Sequence, residues 1–257
     1  VAAYYNEIDH FAAAWLRELM KAGQIPDGEI DTRSIEHVRG DELREFKHCH
    51  FFAGIGGWAY ALRLAGWPDD REVWTGSCPC QPFSQAGARR GADDERHLWP
   101  IWCRLVRECR PPTIFGEQVA SSDGLEWLDG VCADLESERY AVGAADLPAA
   151  SVGAFHIRQR LWFVANRLAD DDEGGCQELG TSRLHDHRQS GDDATRRGAA
   201  GDIEWLHCAD GKTRPIESGT FPLADGVPAR LGRLRGYGNA IVPQVAAIFI
   251  AASAGDL

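Results

Sequence analysis

At 257 residues, with 44% hydrophobic and 26% charged side chains, the chain can bury a full core as one large domain, with or without a small insert, and its composition is that of an ordinary soluble protein. No apolar run approaches the roughly 20 residues that span a bilayer, and no charged-then-apolar leader is present, so no membrane partner is expected. The net charge of -12 excludes a general electrostatic grip on nucleic acid, although clustered arginines leave a specific one open.

In chain order, Ala2 to Tyr5 reads as a short strand ending at Asn6-Glu7-Ile8-Asp9. His10 to Ala22 places Phe11, Ala14, Trp15 and Leu19 at helical spacing, and Gly23 stops it. A second, weaker strand region begins at Glu29 and reaches Val38; a third runs from Lys47 to Ala53 and enters Gly54-Ile55-Gly56-Gly57. Trp58 to Ala65 is helical, and a strand over 72–75 leads into the turn Cys78-Pro79-Cys80-Gln81-Pro82. Residues 97–109 form an amphipathic helix broken by Pro111-Pro112. Thr113 to Glu117 is a buried-type strand, Leu125 to Leu135 a helix, and Tyr140–Val142 and Leu161–Ala165 are further strands. Strands alternating with helices at these lengths predict an α/β fold with a largely parallel sheet. From about Ala169 to Thr220 the chain is polar and glycine-rich. This stretch is an insert: a small irregular domain, or a loop with too little apolar side chain to bury. Gly236 to Asn239 is a turn, and Ile241 to Ala252 an apolar helix.

Several residues at strand ends suit chemistry, and each has a plainer reading. The glycines after Phe52 let a ligand approach the backbone, or simply make a tight turn. Glu7 ends a strand where nucleoside-binding α/β folds place an acid on the ribose, or it caps the following helix. Cys80, held stiffly between prolines, is a nucleophile or a buried thiol. Glu117 is paired with an arginine or kept partly protonated for a substrate. Arg158 and Arg160 alternate on a strand-like segment and line a site or a solvated edge. The eight cysteines contain no C-x-x-C and are read as reduced thiols. Cys176, His185, His187, His207 and Cys208 lack zinc spacing, so no metal is expected.

Together these residues resemble the DNA (cytosine-5) methyltransferase family of bacterial and phage type. Phe52-Ala53-Gly54-Ile55-Gly56-Gly57 is similar to the family's cofactor loop and Pro79-Cys80-Gln81-Pro82-Phe83-Ser84 to its nucleophile loop. Glu117-Gln118-Val119 is similar to its Glu-Asn-Val, with Gln118 for Asn. Gly153 to Arg160 is similar to its Gly-x-Pro-Gln-x-Arg-x-Arg, with Phe155-His156 for Pro-Gln. Gly238-Asn239 is similar to its closing Gly-Asn. The resemblance spans about residues 1–168 and 222–257, and implies a Rossmann-like S-adenosylmethionine-dependent methyltransferase sheet, with 169–221 as a small irregular target-recognition insert.

The resemblance implies S-adenosyl-L-methionine as cofactor, held by Glu7, Ile8, Ser34, Ile35, Phe52, Ala53, Gly54, Ile55, Gly56, Gly57, Pro79, Asn239 and Ala240. It implies Cys80 as nucleophile, Glu117 on the base, Arg160 at the base O2, and Arg158 positioning the Cys80 loop or Glu117. Gln81, Ser84, Gln85, Arg89, Arg90 and Arg96 would contact double-stranded DNA, joined from the insert by Arg196, Arg197, Lys212 and Arg214. A cytoplasmic monomer, part of a restriction-modification system or carried by a phage, is the setting it implies. RNA methylation, a non-catalytic DNA-binding relative and a thiol-redox role for Cys78-Pro79-Cys80 stay open beside it. The order of the motifs departs from the usual one. The ribose-binding acid and adenine loop normally follow the glycine loop; here Asn6 to Asp9 and Asp31 to Val38 precede it. A circular permutation that keeps the sheet and moves the chain break is the expectation.

Overall fold

The computed structural model describes residues 2–79, 98–154, 156–169 and 240–255, together with the backbone of 203–207 and 213–217. The chain divides into two compact units, Val1–Leu168 with Asp225–Leu257, and Ala169–Ala224.

The first unit is built on seven strands: β1 (Ala3–Asn6), β2 (Gly28–Asp31), β3 (His48–Phe51), β4 (Val73–Gly76), β5 (Thr113–Val119), β6 (Tyr140–Pro148) and β7 (Gln159–Arg167). Their order across the sheet is β2-β1-β3-β4-β5-β7-β6. The first five strands are parallel, and β7 runs antiparallel between β5 and β6. β1, β3 and β4 are buried at every position, as parallel strands covered on both faces must be. This is the largely parallel α/β sheet predicted from the strand–helix alternation, and the Rossmann-like sheet that the family resemblance implies.

Helices cover both faces: α1 (His10–Lys21), α2 (Gly57–Leu64), α3 (Trp99–Cys109), α4 (Ser122–Ser137) and α5 (Pro243–Ala254). Strand residues alternate between two layers. Cys49, Phe51, Trp74, Ile114 and Phe163 pack with α3 and α4, whereas Val73, Phe115 and Trp162 pack with α2 and α5. Trp74, Trp102 and Trp162 are fully buried, and burying a large apolar side chain is worth about 1.5–3 kcal/mol or more. Asp9 starts α1, its carboxylate accepting the Phe11 and Ala12 N–H groups at 2.8 and 3.1 Å. None of the helices among the described residues is long and apolar enough to cross a membrane.

Several element boundaries differ from expectation. β2 ends at Asp31 rather than reaching Val38, because Arg33 folds back onto the Asp31 carboxylate and Ser34 caps a short 3-10 turn, Ile35–His37. β6 and β7 are longer than predicted, because they pair from Tyr140↔Arg167 to Pro148↔Gln159 and leave β6 as a half-exposed edge. In the second unit, where an irregular insert was expected, β8 (Ile203–His207) and β9 (Thr213–Glu217) pair antiparallel.

The parallel core buries a titratable group. His50 is 1% exposed, stacks on Tyr5 with ring centroids 4.9 Å apart and meets Thr75 Oγ1 through Nδ1 at 2.7 Å, while its Nε2 has no hydrogen-bond partner among the described residues. Burial, with His48 nearby, pushes its pKa down to about 3, so it is neutral in the fold. The unfolded chain takes up this proton below about pH 6.5 and the folded chain does not until about pH 3, so stability falls with pH across that window. His50→Asn should therefore lose less of its denaturant midpoint than the parent between pH 6.5 and pH 3. Parallel midpoint-versus-pH curves would refute this account.

Candidate active site

β1 and β3 are neighbours whose connections leave in opposite directions, α1 toward β2 and α2 toward β4. In open parallel sheets a crevice forms beyond the strand ends at such a point. Here a cavity of about 300 Å³ opens there, of a size to hold part of a nucleoside-bearing ligand.

Its floor is the turn after β3. Gly54 has φ +55, and a Cβ there would meet no atom nearer than 4.0 Å, so the position faces open space. At Gly57 a Cβ would stand 2.7 Å from Ile241 Cγ1, so glycine there lets α2 and the segment before α5 approach. One wall is the end of β1. Glu7 Oε2 accepts the Gly54 N–H at 2.6 Å, and its Oε1 accepts the Asp9 N–H at 2.7 Å. The carboxylate thus ties the end of β1 to the turn after β3 and also fixes the start of α1. A carboxylate has about four acceptor positions, so these bonds orient it without exhausting it. Both plain and functional readings of this acidic pair meet here: Asp9 caps the helix, and Glu7 faces the cavity.

The opposite wall comes from the end of β2. Asp31 is 7% exposed and accepts Tyr4 OH at 2.7 Å and Arg33 Nη2 at 2.7 Å. Burial works against its charge, but Arg33 and Tyr4 outweigh it and hold the carboxyl below the usual range. This clip sets Arg33, Ser34 and Ile35 against the cavity.

At the end of β4 and along the last residues of β5 lies a second group of residues. Glu117 is 7% exposed, and the Arg160 Nε donates to its Oε1 at 2.7 Å. Burial pushes the Glu117 carboxyl up, against the pull of Arg160, the Ser77 hydroxyl and Arg158, and the upward push prevails. A carboxyl pushed upward keeps its acid form to higher pH than an exposed one does. Next to it, buried Gln118 donates from Nε2 to the Cys78 carbonyl at 3.1 Å and accepts the Val119 N–H at 2.8 Å. The longer side chain in place of Asn thus holds the backbone two residues before Cys80. Cys78 itself is 3% exposed, which disfavours thiol exchange, since that needs access.

Arg158 and Arg160 make different contacts. Arg158 lies just outside β7 with φ 33, so the expected strand alternation breaks there. Its Nη2 donates to the Ala240 carbonyl at 2.6 Å, joining β7 to the segment before α5. Arg160 makes the ion pair with Glu117, and the Arg158 charge also favours the ionised Glu117.

Of the predicted cofactor residues, Glu7, Ile8, Ser34, Ile35, Phe52, Ala53, Gly54, Ile55, Gly57, Pro79 and Ala240 line the cavity. Gly56 does not: with φ +82 it turns toward Leu16 and Leu19 and borders a neighbouring hollow. Asn239 and the loop residues Cys80, Gln81, Ser84, Gln85, Arg89, Arg90 and Arg96 lie outside the described residues, as do Phe155 and, in the insert, Arg196, Arg197 and Lys212. Trp58, Ser77, Leu98, Arg33 and Phe11 line the cavity without having been predicted. Ser77 was open to prediction, since it follows directly on a parallel strand.

The sequence profile of the C-5 cytosine-specific DNA methylases matches residues 66–197, a segment that contains Cys80, Glu117, Arg158 and Arg160. The chain belongs to this family. Among curated relatives, the type II methyltransferase M.AplI of Arthrospira platensis is 31% identical over 100 residues, covering 38% of this chain and 29% of its own. M.NgoMIV of Neisseria gonorrhoeae is 34% identical over 103 residues, covering 38% and 32%. M.HhaI of Haemophilus parahaemolyticus is 25% identical over 169 residues, covering 51% and 52%. The matched segments thus span about half or less of these relatives. A DNMT2 from Spodoptera frugiperda superposes with a TM-score of 0.45 at 14% identity, over 64% of this chain and 42% of its own, too weak a likeness to add to the assignment.

Proposed function

We propose that the chain methylates C5 of cytosine in double-stranded DNA, with S-adenosyl-L-methionine as methyl donor. The observation that carries this reading is Glu117: a buried carboxyl whose pKa is raised, paired with Arg160 in the last residues of β5, on the sheet that carries the cavity. The cavity fits the cofactor's chemistry, with the Glu7 carboxylate for ribose hydroxyls and the Ser34–Ile35 edge and Phe52 beside it for a flat base. S-adenosylmethionine, when bound, supplies an electrophilic methyl group.

The protein's own residues supply the rest. Cytosine C5 is a weak nucleophile until a thiolate adds to C6, so Cys80 forms an S–C6 bond and the C5=C6 electron pair shifts toward C5 and N3. Glu117 in its acid form donates to N3 and accepts from the exocyclic amine, offsetting the charge that develops on the ring. After C5 is methylated, its proton leaves to a base, the C5=C6 bond re-forms and the S–C6 bond breaks. Arg160 holds Glu117, and Arg158 ties the segment before α5 to the site. Cytosine inside a duplex is out of reach, so the base is flipped out. The loop with Arg89, Arg90 and Arg96 closes on it and contacts phosphates, and the 169–221 insert reads the target. The type II naming of the relatives points to a restriction-modification setting.

The deciding experiment supplies methyl-labelled S-adenosylmethionine with duplex DNA or with RNA, and compares the parent chain with Cys80→Ser. DNA carrying 5-fluorocytosine should trap a covalent adduct with the parent alone, because fluorine cannot leave C5 as a proton does. Label entering RNA and not DNA would replace this reading with an RNA methyltransferase. Neither label nor adduct would leave a DNA-binding relative without activity.

A further inference from the structure

Arg33 lines the cavity with its side chain 48% exposed, yet most of its hydrogen-bonding edge is already taken. Its Nε donates to both Asp31 carboxylate oxygens at 3.0 Å, and its Nη2 to Asp31 Oδ2 at 2.7 Å. Along the next edge, Nη2 and Nη1 reach Glu42 Oε2 and Oε1 at 3.0 and 3.4 Å. A guanidinium is planar and all its N–H groups lie in that plane, so a carboxylate on each of two edges fixes the plane itself.

The groups that hold Arg33 are held in turn. Asp31, its side chain 5% exposed, also accepts Tyr4 OH at 2.7 Å, and Glu42 Oε2 accepts the Arg39 N–H at 3.1 Å. Buried Asn6 donates from Nδ2 to the Arg33 carbonyl at 2.9 Å and to the Asp31 carbonyl at 3.3 Å. Ordering a long side chain costs rotamer entropy, and here contacts within the protein have met that cost before a ligand arrives.

Charge and geometry together select the ligand. One guanidinium stands against two carboxylates, so the group as a whole repels an anion, and the edges that a phosphate would grip are occupied. The two faces of the plane carry no donors. A guanidinium face is the part that stacks on a flat aromatic ring, nucleic-acid bases included. Phe52 lines the same cavity, its ring fixed edge-on to Trp102 at 6.1 Å.

We propose that Arg33 is a stacking residue for the cofactor: pinned by its edges to Asp31 and Glu42, its guanidinium turns a flat face to the cavity and receives the adenine ring of S-adenosylmethionine. This rests on the cofactor proposed above. Asp31 and Glu42 are then positioning residues, which set the plane and leave the face to the ligand.

Two measurements on the full chain test this. The first is titration calorimetry with S-adenosylmethionine on the parent and on Arg33→Lys, which keeps the charge and loses the plane. Affinity should fall by roughly 5- to 30-fold, the range for a cation stacked on a ring. Glu42→Ala, which releases one edge, should weaken binding by less. The second is the NMR shift of the Arg33 Nε proton when S-adenosylmethionine is added. A proton over the face of a ring moves upfield, whereas a new in-plane hydrogen bond moves it downfield, so an upfield shift is expected. A proton that stays in place or moves downfield overturns the proposal and leaves Arg33 a clip that shapes the cavity wall. So does an Arg33→Lys affinity within about twofold of the parent's. If Arg33→Lys does not fold, the shift in the parent decides. A parent chain that binds no S-adenosylmethionine overturns the cofactor reading and this proposal with it; binding without the upfield shift overturns this proposal alone.

Discussion

Glu117→Ala is expected to slow methyl transfer by roughly 10³-fold and to destabilise the fold by about 3 kcal/mol. The two effects have separate causes. The rate falls because no other carboxyl among the described residues pairs with Arg160, so no group is left there to donate to cytosine N3 as charge develops. The stability falls because the Arg160 guanidinium, whose side chain is 18% exposed, keeps its desolvation cost and loses the carboxylate 2.7 Å away. Glu117→Gln separates them further. Its amide reproduces the hydrogen-bond pattern of the acid toward cytosine but cannot pass a proton, so its rate should lie between the parent and alanine. Adding Arg160→Met to Glu117→Ala should recover most of the stability and none of the rate. Denaturant midpoints and single-turnover rates read the two separately. An alanine variant within about threefold of the parent rate would remove Glu117 from the chemistry, since general acid catalysis is worth at least ~10²-fold.

The sequence shows what is local to a strand end and misses what depends on contacts across the sheet. Phe52 to Gly57, Glu7 and Glu117 were legible because each follows a recognisable apolar run, and the ends of parallel strands share one edge of the sheet. The pairing of Trp58 with Ser77 was not, because it joins the start of α2 to the residue after β4, 19 positions apart. The Arg158 and Arg160 pair was read as alternating, as extended backbone would require. With a positive φ, Arg158 donates to the Ala240 carbonyl, and Arg160 makes the 2.7 Å ion pair with Glu117. Arg33 was overlooked for a similar reason. A strand carried on to Val38 would place it on the pleat, whereas its bidentate hold on Asp31 ends β2 and makes the cavity wall.

Glu7→Ala should weaken S-adenosylmethionine binding by roughly 10- to 100-fold, the loss of one or two hydrogen bonds to a charged group, with a smaller effect from Glu7→Gln. The expectation depends on where β1 lies. It is parallel to β3 with Asn6 beside Phe51, so Glu7 stands level with Phe52 at the mouth of the glycine turn. α1 then leads outward to β2, whose end supplies Ser34 and Ile35. In the family's usual order the segments in these places follow the glycine loop. Here they precede it, and the stretch from Leu64 to Val73 connects α2 to β4 directly. We propose that this order is a circular permutation of the family's. A permuted chain keeps the sheet because strand neighbours are held by register and side-chain burial, and neither records which segment was made first. Titration calorimetry with S-adenosylmethionine gives the test. An affinity unchanged in Glu7→Ala would mean that β1 is an accessory strand and that the acid on the ribose comes from elsewhere. A loss confined to Glu7→Ala, with Asp9→Asn binding normally, would assign the ribose to Glu7 and leave Asp9 its helix cap.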